Sequence, residues 1–265
     1  MLRTRLLTAL VALPLLFFVI VYPFIPIFAG VVVGAAAAAA YEFFQMAFPT
    51  RWVQRLVGVS LSVLVAVGVA AERPELWGLG IACGVAAGLF FCLLDADEMA
   101  AGVARAGHLV LGVVYSGFLL AHFVLLRGLK DGPWWVVFTV LVAMGSDTGG
   151  YFTGRFFGSH PLAARVSPKK TMEGAVGGLA AGMIAAALGR FMFSVRPTWL
   201  EACFLGVAIS LLSQLGDLTE SMFKRAFGAK DSGWIIPGHG GILDRVDSLV
   251  FPAIFSYYYA VLVYG

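Results

Sequence analysis

The most informative property of this sequence is how little charge it carries. Lys, Arg, Asp and Glu make up 12% of the 265 residues, whereas about 25% is usual for a soluble domain. Hydrophobic residues reach 60%, and the mean hydropathy is +0.91. This composition excludes a soluble globular protein. The net charge of +3 is also too small and too dispersed to predict a nucleic-acid partner.

Cysteines are few, and nothing divides the chain into parts. Cys83, Cys92 and Cys203 lie within apolar runs without metal-ligand spacing, so we interpret them as packing residues outside any disulfide framework. No internal repeat and no long linker is present. We therefore expect one integral membrane domain over residues 1–265, with N-terminal helices in 1–100 and the active site in 101–265.

Long apolar runs predict an all-α, polytopic membrane helix bundle, because about 20 apolar residues span a bilayer as a helix. The N-terminus resembles a signal peptide, but no clean cleavage site follows, so we expect a retained first span. The sixth span is short and is expected to run from Pro133 through Asp147 towards Phe157. The nine expected spans are Leu6–Tyr22, Ile27–Met46, Val53–Ala71, Leu76–Leu94, Leu109–Leu126, Trp134–Met144, Ala175–Phe193, Leu200–Leu215 and Leu249–Tyr264.

Lys and Arg are distributed unevenly between the two ends of these spans. Of the 18, thirteen lie on the side of the N-terminus and four on the other side, and Arg190 lies near the outer end of the seventh expected span. Positive residues favour the cytoplasmic side, so we expect a cytoplasmic N-terminus and active site and an external C-terminus. The Ala-, Val- and Gly-rich composition favours a bacterial inner membrane.

Two expected spans carry small residues at helical spacing. The rows are Gly30, Gly34 and Ala38 in one span, and Gly174, Gly178 and Gly182 in another. Such rows let helix backbones approach closely in lipid, although an accident of composition is the alternative. Glu42 lies near the cytoplasmic end of its span, where we expect it to reach the interface rather than to serve function.

Charged residues concentrate in the stretch Ser213–Asp247. It holds nine of the 33 charged side chains in 35 positions. On a helix, Ser213, Asp217, Glu220, Ser221 and Lys224 form one stripe. A Gly-rich turn, Pro237 to Gly241, follows and allows backbone amides to approach a ligand closely.

Two shorter polar clusters fall on the same expected side. Asp147 and Tyr151 share a helix face, and an acid at the end of a span is costly without a partner or a cavity; a capped helix end is the alternative. Lys169 and Lys170 precede a helix that Ser167 or Thr171 is placed to cap. Free N–H groups and two cations there suit an anion, with positive-inside anchoring as the alternative.

Carboxylates, cations and a Gly-rich turn together suit a divalent metal with a polyphosphate. Mg²⁺ takes one or two carboxylates, waters and phosphate oxygens, while Lys and Arg neutralise the remaining charge. A lipid-headgroup patch should be positive, but Ser213–Asp247 has a net charge of four minus five, or −1. A solvated loop is the alternative.

One long motif resembles a known family. The pattern Ser221-x-Phe-Lys-Arg-x4-Lys230-Asp231-x-Gly-x2-Ile236-Pro237-x-His239-Gly-Gly-Ile242-x-Asp244-Arg245-Val-Asp247 is similar to the signature of phosphatidate cytidylyltransferases, also called CDP-diacylglycerol synthases. The segment Ser167-Pro-Lys-Lys-Thr and the Asp147 region resemble that family as well. Met172 departs from it, since an aromatic residue is expected there.

The resemblance implies that CTP and phosphatidate give CDP-diacylglycerol and pyrophosphate in a membrane bundle that forms a homodimer. It implies Mg²⁺ as cofactor, with K⁺ as an alternative second cation. The expected catalytic residues are Asp217, Asp244, Lys230 and His239. The expected metal ligands are Asp217 and Asp244, with support from Asp247 or Glu220. The expected substrate-binding residues are Asp147, Lys169, Lys170, Ser221, Lys224, Arg225, Asp231, Gly238, Gly240, Gly241 and Arg245.

Two rivals make different demands on the sequence. A polyprenol kinase should lack the full His-Gly-Gly-x-x-Asp-Arg run. A transporter should carry ionisable residues at mid-membrane and repeats in two halves, whereas the charges here crowd one expected interface.

Overall fold

The computed structural model describes residues 14–94, 99–193, 196–233 and 240–265. Residues 14–21 are helical and are called α1. The following elements are α2 (Ile25–Ala47), α3 (Trp52–Ala70), α4 (Pro74–Leu94), α5 (Met99–Gly112), a π-helical segment (Val113–Leu119), α6 (Leu120–Gly128), α7 (Gly132–Phe157), β1 (Pro161–Ala163), β2 (Ser167–Thr171), α8 (Met172–Phe193), α9 (Trp199–Ala226) and α10 (Leu243–Tyr264).

The predicted all-α membrane architecture is confirmed. Within the described ranges, seven helices are long and apolar enough to cross a membrane: α2, α3, α4, the continuous Met99–Gly128, α8, α9 and α10. The expected sixth span is part of α7, which runs through Asp147 to Phe157 as predicted. The first expected span lies partly outside the described residues. The chain is an integral membrane protein.

The described chain divides into two compact units, while the prediction of one domain stays a prediction. The first unit includes Pro23–Leu125 and the described part of Phe227–Val246. Phe43 and Phe44 of α2 are fully buried in its core. A Cβ at Gly58 of α3 or Gly112 of α5 would strike these rings, so glycine at both positions lets the helices close around α2.

Two residues of the small-residue row on α2, Gly30 and Gly34, do not serve this packing. Nothing in the described chain lies within 4 Å of a Cβ added at Gly30 or Gly34, and both glycines are exposed. The prediction of close helix contact at these two positions is therefore wrong for the described chain.

The second unit contains Pro14–Tyr22, Asp247–Gly265 and the described part of Leu126–Ala226. Here the predicted row on α8 is confirmed as a close helix contact. A Cβ at Gly178 would lie 3.0 Å from the carbonyl oxygen of Ser146 on α7, and one at Gly182 would strike the Ser210 hydroxyl on α9. Glycine thus allows α7, α8 and α9 to pack closely.

A short hairpin that the sequence did not predict joins α7 to α8. Strands β1 and β2 pair antiparallel, with Pro161 opposite Thr171 and Ala163 opposite Ser167. The Thr171 hydroxyl accepts a hydrogen bond from the Gly174 amide at 3.1 Å, so Thr171 caps α8 as one of the two predicted candidates. The hairpin places both lysines of Ser167-Pro-Lys-Lys-Thr directly before this helix end.

Candidate active site

A polar cavity of about 510 Å³ lies within the second unit. It is lined by α7, the hairpin, the start of α8 and the second half of α9. The residues that carry charge or a hydroxyl along it include Asp147, Tyr151, Arg155, Ser167, Lys169, Lys170, Thr171 and Asp217. The structure therefore brings together the two shorter polar clusters and the first acid of Ser213–Asp247, as expected.

An ion pair joins two predicted site residues in this cavity. Nζ of Lys170 lies 2.6 Å from Oδ2 of Asp217, and both side chains are only partly exposed. The pair connects the hairpin to α9. Because attraction between charges strengthens away from bulk water, Lys170 offsets the charge of Asp217 more effectively than a fully exposed lysine would.

Three carboxylates of the second unit lie within electrostatic reach of one another. Asp217 interacts with both Asp147 and Asp247, and Asp247 is almost fully buried at the start of α10. The Ser213 hydroxyl donates to Oδ1 of Asp147 at 3.3 Å. Grouped negative charge of this kind is repulsive unless a cation accompanies it.

A second ion pair lies further along α9. Nζ of Lys224 is 2.5 Å from Oε2 of Glu220, which is fully buried. Lys224 also interacts electrostatically with Asp247. The Nε of Arg225 donates to the carbonyl oxygen of Val166 in the hairpin turn at 3.4 Å. Roles for Glu220 in binding metal and for Lys224 and Arg225 in binding substrate stay predictions.

The start of the hairpin is tied to α8 by Glu173, close to where Lys169 and Lys170 line the cavity. Oε2 of Glu173 in α8 accepts hydrogen bonds from the amides of Ser159 at 3.1 Å and His160 at 3.2 Å, and its Oε1 contacts Nδ1 of His160 at 2.6 Å. No sequence motif marks this contact. A carboxylate in the first turn of a helix was the available signal.

Asp244 of α10 belongs to the first unit and organises the backbone around it. Its Oδ2 accepts hydrogen bonds from the Gly241 amide at 3.1 Å and the Ser232 amide at 3.3 Å. Gly240 has a φ of +83°, and a Cβ there would lie 3.0 Å from the same carboxylate oxygen. Glycine is the residue that adopts this conformation without strain.

The remaining predicted residues are placed as follows. Lys230, Asp231 and Arg245 are exposed and Ser221 is partly buried. Gly238 and His239 lie outside the described residues. For all of them, the predicted roles in catalysis and substrate binding stay predictions.

Sequence reasoning underestimated Glu42. We expected this side chain to reach the interface, but it is fully buried in the first unit. It accepts hydrogen bonds from the Ile242 and Leu243 amides at the start of α10. No local pattern reveals a contact across 200 residues, although a lone acid within an apolar span was itself a signal.

The carboxylates at the cavity are candidate ligands for a metal ion. Within the described ranges, no three His, Cys, Asp or Glu side chains form a group placed to hold a metal ion. Mg²⁺, however, is commonly bound by one or two carboxylates together with substrate phosphates. Carboxylate oxygens such as those of Asp217 and Asp247 are the donors that such a hard cation prefers, so the chemistry of the residues present is compatible with Mg²⁺.

Fold and cavity together define an integral membrane protein whose cavity combines carboxylates with lysines. Comparison with known proteins identifies the family. The cytidylyltransferase family matches residues 3–263, and the chain belongs to this family.

Curated relatives carry a more detailed name. The chain is 34% identical over 234 residues to a protein of Brucella suis named phosphatidate cytidylyltransferase, covering 87% of this chain and 83% of the relative. A protein of the same name from Synechocystis is 38% identical over 202 residues, covering 65% and 68% of the two chains. One from Bacillus subtilis is 35% identical over 155 residues, covering 58% of each.

Proposed function

We propose that this protein is a phosphatidate cytidylyltransferase, which transfers CMP from CTP to phosphatidate and releases pyrophosphate. The observation that carries the proposal is the cavity of the second unit, where Lys169, Lys170 and Asp217 stand beside a capped helix start. The family membership and the names of the relatives support the same reaction.

The reaction needs charge stabilisation rather than a general base. A phosphate oxygen of phosphatidate, already ionised at neutral pH, attacks the α-phosphorus of CTP. A new P–O bond forms, the bond between the α-phosphorus and the bridging oxygen to the β-phosphorus breaks, and pyrophosphate leaves with that electron pair. Since both reactants are anions, positioning and neutralisation of charge are the principal requirements.

The chain supplies these functions through two sets of side chains. Lys169 and Lys170 bind phosphate oxygens at the cavity, and Lys224, Arg225, Lys230 and Arg245 bind the triphosphate or the lipid headgroup. Asp217 and Asp244 would hold Mg²⁺, supported by Asp247 or Glu220, with K⁺ as an alternative second cation. When bound, the metal ion screens repulsion between the phosphates and stabilises the leaving pyrophosphate.

Orientation and assembly complete the proposal. The protein lies in a bacterial inner membrane as a homodimer, with a cytoplasmic N-terminus and an external C-terminus. The distribution of Lys and Arg supports this orientation, and the family resemblance supports the dimer. Labelling of single cysteines placed in alternate loops of intact cells would test the orientation.

Direct assay tests the reaction. Protein purified in detergent is supplied with phosphatidate, radiolabelled CTP and Mg²⁺, and lipid-linked label and pyrophosphate are measured. We expect CDP-diacylglycerol that disappears with EDTA and in Asp244→Asn, a variant that keeps the size of the side chain and removes its charge.

The outcomes separate the alternatives. Turnover with a polyprenol but not with phosphatidate would keep the chemistry and change the substrate. A folded protein that uses no CTP with any lipid would contradict the proposal and favour a transporter.

A further inference from the structure

Glu42 is a fully buried acid in an apolar helix, and all its described hydrogen bonds go to one distant segment. Oε1 accepts from the Ile242 amide at 3.0 Å, and Oε2 accepts from the Leu243 amide at 2.8 Å. Helix α10 begins at Leu243. The first amides of a helix have no partner inside it, so Glu42 of α2 supplies the acceptor that a capping side chain normally supplies.

Ser232 links this acid to the predicted metal ligand Asp244. The Ser232 hydroxyl donates to Oε2 of Glu42 at 3.2 Å, and its amide donates to Oδ2 of Asp244 at 3.3 Å. The Gly241 amide donates to the same Asp244 oxygen at 3.1 Å. Three consecutive amides, 241 to 243, are thus each bonded to one of two carboxylates, and Ser232 bridges those carboxylates.

Two glycines of the segment are required by this contact. A Cβ at Gly233 would lie 2.5 Å from Oε1 of Glu42, and one at Gly241 would strike both Oε2 of Glu42 and the Ser232 hydroxyl. Any larger residue would push the acid away from the amides. Gly233 and Gly241 therefore leave room for the Glu42 carboxylate. This is a second role for glycine in the segment, besides the predicted one of letting phosphate approach the backbone.

We propose that Glu42 is a positioning residue for the reaction: it holds the first turn of α10, and through Ser232 the carboxylate of Asp244, in the arrangement that turnover requires. The inference rests on the proposed function for its kinetic part. Glu42 acts through Asp244 and does not touch substrate. A carboxylate at the positive end of a helix is favourable, and the fully buried neighbours Phe43 and Phe44 hold this part of α2 in the core of the first unit.

The test compares Glu42→Gln with the parent protein by two independent measurements. Hydrogen exchange followed by mass spectrometry reports on the amides of 241–243, and steady-state kinetics reports on turnover. Gln keeps the shape but replaces one acceptor oxygen with a donor. We expect these amides to exchange about tenfold faster or more. We expect kcat to fall about 10- to 100-fold, with KM for CTP and phosphatidate changed by less than about threefold.

Two further variants separate positioning from general loss of stability. Ser232→Ala removes one of the three bonds to Glu42 with little change in packing, and we expect the same two effects at smaller size. Ser116→Ala is the matched control, because Ser116 is also buried in the first unit and donates to the Gly112 carbonyl at 2.6 Å. It should lower the melting temperature and leave both kcat and the exchange of 241–243 unchanged.

Each outcome bears on one claim. If the parent protein makes no CDP-diacylglycerol, the proposed function fails. The exchange data still test whether Glu42 holds the first turn of α10. If the parent is active and Glu42→Gln matches it in kcat and exchange, the positioning role is overturned. Equal effects in Ser116→Ala would also overturn it. If Glu42→Gln does not fold, Ser232→Ala decides between the same results.

Discussion

Nζ of Lys170 and Oδ2 of Asp217 lie 2.6 Å apart in the polar cavity, so the hairpin and α9 are joined by a charge pair at the candidate site. Such a pair has two possible uses. It can hold the fold together, or it can keep a cation and an anion ready for phosphates and metal. Exchanging the two charges distinguishes these uses.

The first prediction concerns this exchange. Lys170→Asp combined with Asp217→Lys restores an ion pair but reverses the charge presented by each element. We expect both single variants and the exchanged pair to lose about 100-fold or more in turnover, because the proposed reaction needs a cation at residue 170 and an anion at residue 217. The exchanged pair should melt closer to the parent than either single variant. Recovery of most of the activity in the exchanged pair would assign the two residues to structure alone.

The second prediction concerns Asp147 and its hydroxyl partner. Asp147→Asn keeps an acceptor for Ser213, whose hydroxyl donates to Asp147 at 3.3 Å, but it removes the negative charge from the cavity. We expect turnover to fall about tenfold or more, because electrostatic contacts act strongly in such sites. Ser213→Ala removes only the hydrogen bond and should cause a smaller loss. Steady-state kinetics of both variants in detergent compares the two losses of turnover. A larger loss in Ser213→Ala than in Asp147→Asn would contradict a role for the charge.

The third prediction uses two exposed lysines as a matched pair. Lys230 lies in the motif that resembles the family signature, and Lys130 lies in the turn before α7; both side chains are exposed. Exposed substitutions usually change stability by less than about 0.5 kcal/mol, so neither alanine variant should shift the melting temperature appreciably. Lys230→Ala should lower turnover about tenfold or more, and Lys130→Ala should not. Equal activity in the two variants would show that Lys230 is not part of the site.

The sequence predicted those features that depend on composition and local spacing. Apolar runs located the membrane helices, and the four-residue spacing of Asp147 and Tyr151 placed both on the cavity. The spacing of Gly174, Gly178 and Gly182 predicted the close packing of α8. Each of these follows from the period of one helix, which is a property of neighbouring residues alone.

Features that depend on distant contacts could not be predicted. The burial of Glu42 results from a partner segment 200 residues away, and the hairpin before α8 has strands of only three and five residues, too short for an alternating pattern. At Gly30 and Gly34 the sequence predicted a close helix contact that the described chain does not make. Their spacing matches that of the α8 row, but spacing does not reveal whether another helix faces it.

The last prediction compares a glycine that faces another helix with a glycine that does not. A Cβ at Gly206 of α9 would lie 2.9 Å from the Cα of Met183 and 3.0 Å from the Cβ of Ala186, both on α8, whereas nothing in the described chain lies within 4 Å of one at Gly30. Because backbone atoms cannot rotate away, Gly206→Ala should cost about 1–3 kcal/mol of stability.

Gly30→Ala is the matched control, since it also adds one methyl group to a membrane helix. Alanine favours helix over glycine by about 1 kcal/mol, so its melting temperature in detergent should equal or exceed that of the parent, while that of Gly206→Ala should fall. A Gly206→Ala protein as stable as the parent would contradict the close contact of α8 and α9. A fall in Gly30→Ala would show that this face of α2 is occupied in the purified protein.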